Sequence, residues 1–523
     1  MTQPGVFTPY STIPWNTTPP SWVPAMEQAR IRSYSIYDEL YWSHISTQYK
    51  VMSRDDAEEA PIYVPTSRII IDTVNRYIGK GLWFVADPLS GSPASRLAAE
   101  QAFLGLFRRE RFRTKYAANK RYGTIRGDWL WHIIANPAKA EGTRLSIHPV
   151  DPASYFPVFE SDRDPLGSPD KIVAVYLVDR VLHDDKYLIH RQRYEKVVNA
   201  NGTNTIWSEL AIYEEDKWFP TANEAAVQVV QPLTALPPDI QAIPVYHIPH
   251  MYEPQNPYGS SELRGLETVA AAINQSVTDE DLALALMGLG VYATDQPGSP
   301  IDPTTGKARD WFVYPGAVIE NSKGLRKVEG VGSVESYTEH INRLFGFMQK
   351  ATGASDAAMG RVDVAVAESG VALALELAPM LAKAEEQDDV IADVHNQMFF
   401  DLRAWLKVYE GINIDDVSML ATFADKLPTN RAAEAELVAT LMSTTPPLLS
   451  AASGRAYLAK KGFDSIFATN EADLVALEQQ AVAAAADPFG GRAAGEQGGQ
   501  EGGAGADAIG STADSAGSTG QEG

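Results

Sequence analysis

At 523 residues the chain is too long for one compact core, so two or three lobes are expected, and 45% apolar with 21% charged residues is a globular composition. A formal net charge of -23 argues against tight nonspecific nucleic-acid binding by the whole surface, and the absence of cysteine excludes disulfides, thiolate metal sites and cysteine nucleophiles. The start of the chain lacks a basic region followed by an apolar run, so no signal peptide is expected. The longest apolar run, 282–293, is too short and glycine-interrupted to span a bilayer. The expectation is a soluble protein with no membrane partner.

Residues 1–24, rich in Pro, Thr and aromatics, read as an extended arm, either lying across a neighbouring subunit or disordered. Helices are predicted over 25–44 and 66–79, the second stopped by Gly79, followed by a strand at 82–85. Helical periodicity returns from about Ser95 to Ile125. Its second half carries Arg108, Arg109, Arg111, Arg113, Lys115, Lys120, Arg121 and, just beyond, Arg126, against the single Glu110. Such a face either meets DNA or an acidic partner, or is a solvated surface pairing with carboxylates elsewhere in this acidic chain. From 127 to 250, short strands (145–148, 172–177, 211–213) alternate with turns such as 162–167 and 199–202, giving an α+β lobe with antiparallel sheet.

The central stretch has the clearest punctuation. Pro257 and Gly259 break the chain, Ser260 can cap a helix, and Glu262 suits its positive N-terminal end. Leu263, Leu266, Ala270, Ile273 and Val277 then form one apolar stripe of a helix ending near Gly288 and Gly290. A compact insert over 290–332 follows, with strand candidates at 311–314 and 317–319. A second helix begins near Ser333 with the stripe Val334, Tyr337, Ile341, Leu344, Phe345 and Met348, and stops at Gly353. The loop 354–369 contains small residues without a large anchor and is expected to be exposed and mobile. A long helix over 370–410 is expected to kink at Pro379, with Ile391, Val394, Met398, Leu402, Trp405 and Tyr409 on one face. A further strand can lie within 412–423, helix resumes over 429–486, and the Gly/Ala-rich acidic stretch 487–523 has too little apolar surface to fold.

Catalytic patterns are mostly absent. There is no P-loop, no H-E-x-x-H and no G-x-S-x-G. Gly288-Leu289-Gly290-Val291-Tyr292-Ala293 resembles a dinucleotide fingerprint but ends a helix instead of joining a strand to one. His247 and His250 flank Ile248 and Pro249 in an extended segment that turns them to opposite faces, and Asp388-Asp389 and Asp415-Asp416 read as solvated helix faces. No enzyme, cofactor or metal is expected.

Four segments, in this order, resemble the portal proteins of long-noncontractile-tailed bacteriophages: Arg68 to Gly79; Arg126-Gly127-Asp128-Trp129-Leu130-Trp131; Asn256 to Leu266; and Thr352-Gly353 with Glu368 to Leu373. The likeness covers roughly residues 30–485. It implies an α+β ring subunit with a mixed wing (25–257), a first stem helix (258–289), a small β-rich clip (290–332), a second stem helix (333–352), a tunnel loop (353–369), a long kinked helix returning to the wing (370–427) and a helical crown (428–486). It further implies twelve copies around a channel for double-stranded DNA at one capsid vertex. Terminase, a head-tail adaptor, and major capsid and scaffolding proteins would be partners, with assembly in the host cytoplasm. Under this resemblance Ser355, Asp356, Met359, Gly360, Arg361, Val362, Asp363 and Glu368 belong to the tunnel loop. Glu262, Glu267, Asp279, Glu280 and Asp281 would line an acidic lumen that passes DNA without holding it. Trp311, Phe312 and Tyr314 would dock a partner at the clip, or else fill that insert's own small core. The alternative is another ring-forming virion adaptor or capsid-associated protein without DNA passage.

Overall fold

The computed structural model describes residues 23–42, 62–163, 171–183, 186–214, 217, 226–253, 256–289, 291–293, 304–307, 326–328, 335–361, 370–426 and 431–443. The chain divides into two units, 1–429 and 430–523.

The first unit opens with α1 (Ala25–Trp42) and α2 (Thr66–Tyr77), then β1 (Trp83–Ala86). The single helix expected over 95–125 is two, α3 (Pro93–Arg109) and α4 (Phe112–Arg126). Arg111 between them is left-handed (φ 52°), which redirects the chain so that Phe107 and Phe112 stack at 4.2 Å between ring centroids. Pro93 and the Ser92 side chain, which accepts from the Ser95 N–H, fix the start of α3.

Two antiparallel sheets follow. β2 (Asp128–Ala135) is the centre of a three-stranded sheet between β3 (Leu145–Val150) and β9 (Val245–Pro249). The second sheet runs in sequence order through β4 (Tyr155–Phe159), β5 (Ile172–His183), β6 (Lys186–Val198), β7 (Asn204–Glu214) and β8 (Gln228–Ala235), while α5 (Glu160–Arg163) is a single turn after β4. The period of two decides which side chain goes where. Trp129, Trp131 and Ile133 of β2 enter the main helical core, whereas Leu130 packs with Tyr155, Val175, Tyr194 and Ile206 between the sheets. On its far face the larger sheet buries Phe156, Tyr176, Val178 and Ile189 against Val23 and Ile31.

An antiparallel-connected helix pair leaves this body: α6 (Glu267–Leu289) and α7 (Glu335–Thr352) pack together, and β10 (Val291–Ala293) pairs with β11 (Arg326–Val328) across the insert between them. The 41-residue α8 (Gly370–Glu410) crosses the main core and buries Ile391, Met398, Leu402 and Trp405 there. β12 (Met419–Thr422) returns to pair with β1. Gly288 and Leu289 end α6, as the sequence suggested for this motif, and Val291–Ala293 are β10. In the second unit α9 (Arg431–Ser443) is described. The expected strands at 311–314 and 317–319, the arm over 1–22 and the chain beyond 443 lie outside the described residues. No helix of the described residues is long and apolar enough to cross a membrane.

Candidate functional site: the root of the helix pair

The two motifs Arg126-Gly127-Asp128 and Tyr258-Gly259-Ser260-Ser261-Glu262, remote in sequence, meet where the helix pair is rooted in the body. The Asp128 carboxylate accepts from the Gly259 N–H (2.8 Å), lies 2.7 Å from His247 Nε2, and accepts the Tyr34 hydroxyl proton with its other oxygen. The chain paths are as close as backbone allows. A Cβ on Gly259 would stand 2.0 Å from the Gly127 carbonyl oxygen and 2.5 Å from the His250 backbone, so glycine is required. The His250 N–H donates to Gly127 O (2.7 Å), the Ser260 N–H to His250 O (2.7 Å), and the Glu262 N–H to Thr124 O (3.2 Å).

Glu262 is the centre of this root. It is 4% exposed; one carboxylate oxygen lies 3.1 Å from His250 Nε2 and the other pairs with the Lys383 ammonium of α8. Lys383 also donates to the carbonyl of Thr352, the last residue of α7 (3.1 Å). Burial pushes the Glu262 carboxyl up, but the His250 hydrogen bond and the Lys383 charge together outweigh it and hold the group below the usual carboxylate range. One ion pair therefore joins the approach to α6, the end of α7 and the middle of α8. This corrects the expectation that Glu262 sits at the positive N-terminal end of a helix capped by Ser260 and faces a lumen. The helix starts at Glu267 instead, because Gly265 takes a left-handed turn (φ 82°) after Ser261 has capped the Leu263 N–H.

The other candidate acids of α6 differ among themselves. Asp279 and Asp281 are exposed; Glu280 is partly exposed and accepts from Thr338 of α7 (2.9 Å); Glu267 is partly exposed beside the Tyr37 hydroxyl, whose ionisation burial and that carboxylate push up to about 12. The exposed acids of α6 thus lie in its distal half, and Asp279 and Asp281, two positions apart, point to different sides of the helix. Near α6's middle, Asn274 and Thr278, one turn apart, accept the backbone N–H groups of Val64 and Ile62 (2.9 and 3.1 Å), strapping that extended segment to the helix.

The loop after α7 was expected to be exposed throughout, and its first half is not. Gly353 (φ 74°) ends the helix, and residues 354–361 fold into a compact turn. The Met359 N–H donates to Ser355 O (3.1 Å), the Arg361 N–H to Asp356 O (2.8 Å), and Gln349 of α7 to the Asp356 carboxylate (2.9 Å). Ala354, Ala357 and Ala358 are buried, the last two on Leu377 of α8. Small side chains suffice to anchor this turn because their methyl groups pack on Leu377, with Leu373 and Leu381 of α8 alongside. Asp356, Gly360 and Arg361 are exposed, and Ser355 and Met359 partly so. Val362, Asp363, Glu368, Trp311, Phe312 and Tyr314 lie outside the described residues.

Of the basic run over 108–126, Lys120 and Arg126 are buried, while Arg108, Arg109, Arg111, Arg113 and Arg121 are exposed. Arg126 is 2% exposed and bridges Asp38 and Asp151 at 2.6 Å each; burial alone would lower its guanidinium, but the two carboxylates outweigh that and raise it. Lys120 reaches the Asn75 and Ile78 carbonyls and falls to about 8 through burial, despite Asp388 nearby. Lys115 pairs with Glu110 at 2.9 Å, and Arg113 lies 4.1 Å over the Trp83 ring. Arg109 also lies beside Glu110 (3.7 Å) and Arg121 beside Asp72 (3.8 Å), so much of the run is engaged with carboxylates, carbonyls or a ring. Asp388 is a second correction: it is 6% exposed, accepts the Gly79 N–H (2.7 Å) and pairs with Lys426 (3.0 Å), while Asp389 is exposed. Burial raises the Asp388 carboxyl, and those two partners offset only part of the rise. Asp415 and Asp416 are exposed, and the two histidines sit in structural hydrogen bonds.

Sequence reading missed Lys383, Arg30 and the role of Asp128. Arg30 of α1 donates to the Pro152 and Tyr155 carbonyls (2.7 and 2.9 Å), pairs with Glu27 (2.6 Å) and lies 4.3 Å over the Tyr258 ring. The glycines at 127 and 259 were the available signal for a close approach; nothing local announces a Lys383–Glu262 pair. Among the described residues no group of three or more His, Asp or Glu side chains is placed to hold a metal ion.

No protein-family model matches the chain, and no curated protein matches it. Among solved structures it is similar to a chain in the neck of a native GTA particle computed with C12 symmetry, at 12% identity and a TM-score of 0.40, covering 79% of this chain and 99% of that one. It is also similar to a chain in the neck of an empty GTA particle computed with C6 symmetry, at 13% identity and a TM-score of 0.40 with the same coverage. A chain in the virion of a native gene transfer agent (GTA) particle gives 12% identity and a TM-score of 0.39, again with that coverage.

Proposed function

We propose that this chain is the subunit of a portal ring: a structural channel at one capsid vertex through which duplex DNA is packaged and ejected. The observation that carries this reading is the order of elements around the Glu262–Lys383 root. An α+β body, a packed helix pair with an insert closed by β10 and β11, a turn after the second helix and a 41-residue helix follow one another as the sequence resemblance implies for wing, stem, clip, tunnel loop and long helix. A channel must pass its polyanion without retaining it, since phosphate contacts dominate DNA affinity. Asp279 and Asp281 are the exposed acids of α6 suited to that, and Arg361 is the exposed cation of the turn able to touch a passing phosphate. The chain would act without catalysis of its own; terminase would supply the packaging energy, and an adaptor would follow it at the clip.

The test is the native mass at moderate salt, followed by imaging. Twelve copies of 56.9 kDa give about 683 kDa. A discrete species within one subunit of that mass, with a pore wide enough for duplex DNA, supports the proposal. A ring with a closed centre favours an adaptor or other capsid-associated protein, and a stable dimer or tetramer overturns the ring.

A further inference from the structure

The larger sheet ends in an edge that nothing in the described residues covers. Every residue of β8 is exposed, including Val229 (52%), Val230 (51%) and Leu233 (44%), with Val227 (57%) just before it. Its eight residues, QVVQPLTA, carry no charge. Natural edge strands are usually blunted by lysine, inward charge or short length; β8 has only Pro232. An uncharged apolar edge of this kind is a template for one more strand.

The chain itself contains a fitting strand. Residues 1–26 hold no Asp, Glu, Lys or Arg, in a protein with 111 of them. Within that arm, Val6, Phe7, Thr8, Tyr10, Thr12 and Ile13 are residues that favour strands, and the prolines at 4, 9 and 14 are tolerated in an edge strand whose outer N–H groups face solvent. The arm also starts from the right place. Val23 is 1% exposed in the apolar cluster on the face of this sheet, which includes Ala211 and Tyr213 of β7; Ala226, two residues before β8, packs against the same cluster. From Val23 back to Ile13 is ten residues, a reach of roughly 33 Å. Even from β5, the four strand spacings to a strand beyond β8 cover only about 19 Å.

We infer that residues 6–13 of the arm pair with the free edge of β8 in the same chain, as a sixth strand of this sheet. The pairing uses backbone hydrogen bonds for affinity and places Val, Phe, Tyr or Ile side chains beside Val229, Val230 and Leu233. It does not depend on the ring, and it would hold in a monomer.

Two measurements on the full chain test it. Hydrogen exchange should show the amides of 228–235 slowed, with protection falling at least tenfold in a chain lacking residues 1–22. Equal protection with and without the arm overturns the proposal. Because the protein has no cysteine, Tyr10→Cys with Val230→Cys, and the register neighbour Thr12→Cys with Val230→Cys, report the contact directly. One of the pairs should form a disulfide within a single chain on a non-reducing gel. Failure of both pairs, or cross-links only between chains, also overturns it.

Discussion

The indole Nε1–H of Trp131 on β2 donates to Nε2 of His395 on α8 at 3.1 Å, across 264 positions of sequence. His395 Nδ1 in turn lies 2.7 Å from the Ile391 carbonyl, so the ring is held as the Nδ1–H tautomer with its only lone pair facing the indole. Phe112, Tyr116, Trp129 and Phe399 surround it at ring distances of 5.8 to 6.3 Å. A second proton would set two N–H groups against each other in a fully buried site. Burial accordingly lowers the imidazole to about 4, the Ile391 hydrogen bond offsetting part of the fall.

Stability should therefore drop in acid through this residue. Between pH 6.5, where the unfolded imidazole titrates, and about 4, the unfolded chain binds the extra proton, so stability falls as the pH falls and is fully present above 6.5. The contribution is about 3 kcal/mol. Urea unfolding at pH 7 and 4.5 should show His395→Gln losing less stability than the natural protein over that interval. An equal loss would show that His395 does not titrate in this range on unfolding.

Glu262→Ala should destabilise the first unit by about 3–5 kcal/mol, because it strands the Lys383 ammonium and His250 at the root. Lys383→Met alone should also be costly, leaving a buried carboxylate, while the double variant Glu262→Met, Lys383→Met should cost less than the two single changes added. Additive losses in a double-mutant cycle by chemical denaturation would count against the shared clamp. The depressed Glu262 carboxyl adds an acid dependence of its own: its contribution is present above about pH 4.5 and lost as the pH falls through the lower folded value.

Gly259→Ala should cost about 3 kcal/mol, the upper end of overpacking penalties, since its methyl group meets backbone and not a movable side chain. Gly142→Ala is a weaker control: nothing lies near its added carbon, and only its positive φ (82°) resists the change. Thermal unfolding midpoints for the two should differ by several degrees, and similar midpoints would refute the close-approach account.

Arg361→Glu should leave assembly and stability unchanged, since the side chain is exposed at the end of the turn. If the portal reading is right, particles carrying it should package or retain less DNA than the natural protein, measured as genome content per particle. Unchanged content would remove Arg361 from any role in the channel. Deleting the entire 354–369 loop is a poorer test, because Ala357 and Ala358 cover Leu377 and their loss would uncover the long helix.

Periodicity and punctuation by themselves located most elements of this protein. The stripe from Ile391 to Tyr409 marks α8 and Gly353 marks the end of α7; each signal is local, set by the turn of one helix, whereas Trp129, Leu130 and Trp131 are all apolar and only the fold assigns them to different cores. Local pattern could not see the break at Arg111, where the stacking of Phe107 on Phe112 overrides a continuous helical repeat. Nor could it separate the acids. Glu262 and Asp388 read like Asp279 and Asp389, and only the fold brings Lys383 and His250 to the first and Lys426 to the second, turning two apparent surface charges into buried ties. A charge is legible in sequence, but its solvent and its partner are decided by segments that the fold brings to it, from 12 positions away for His250 to 121 for Lys383.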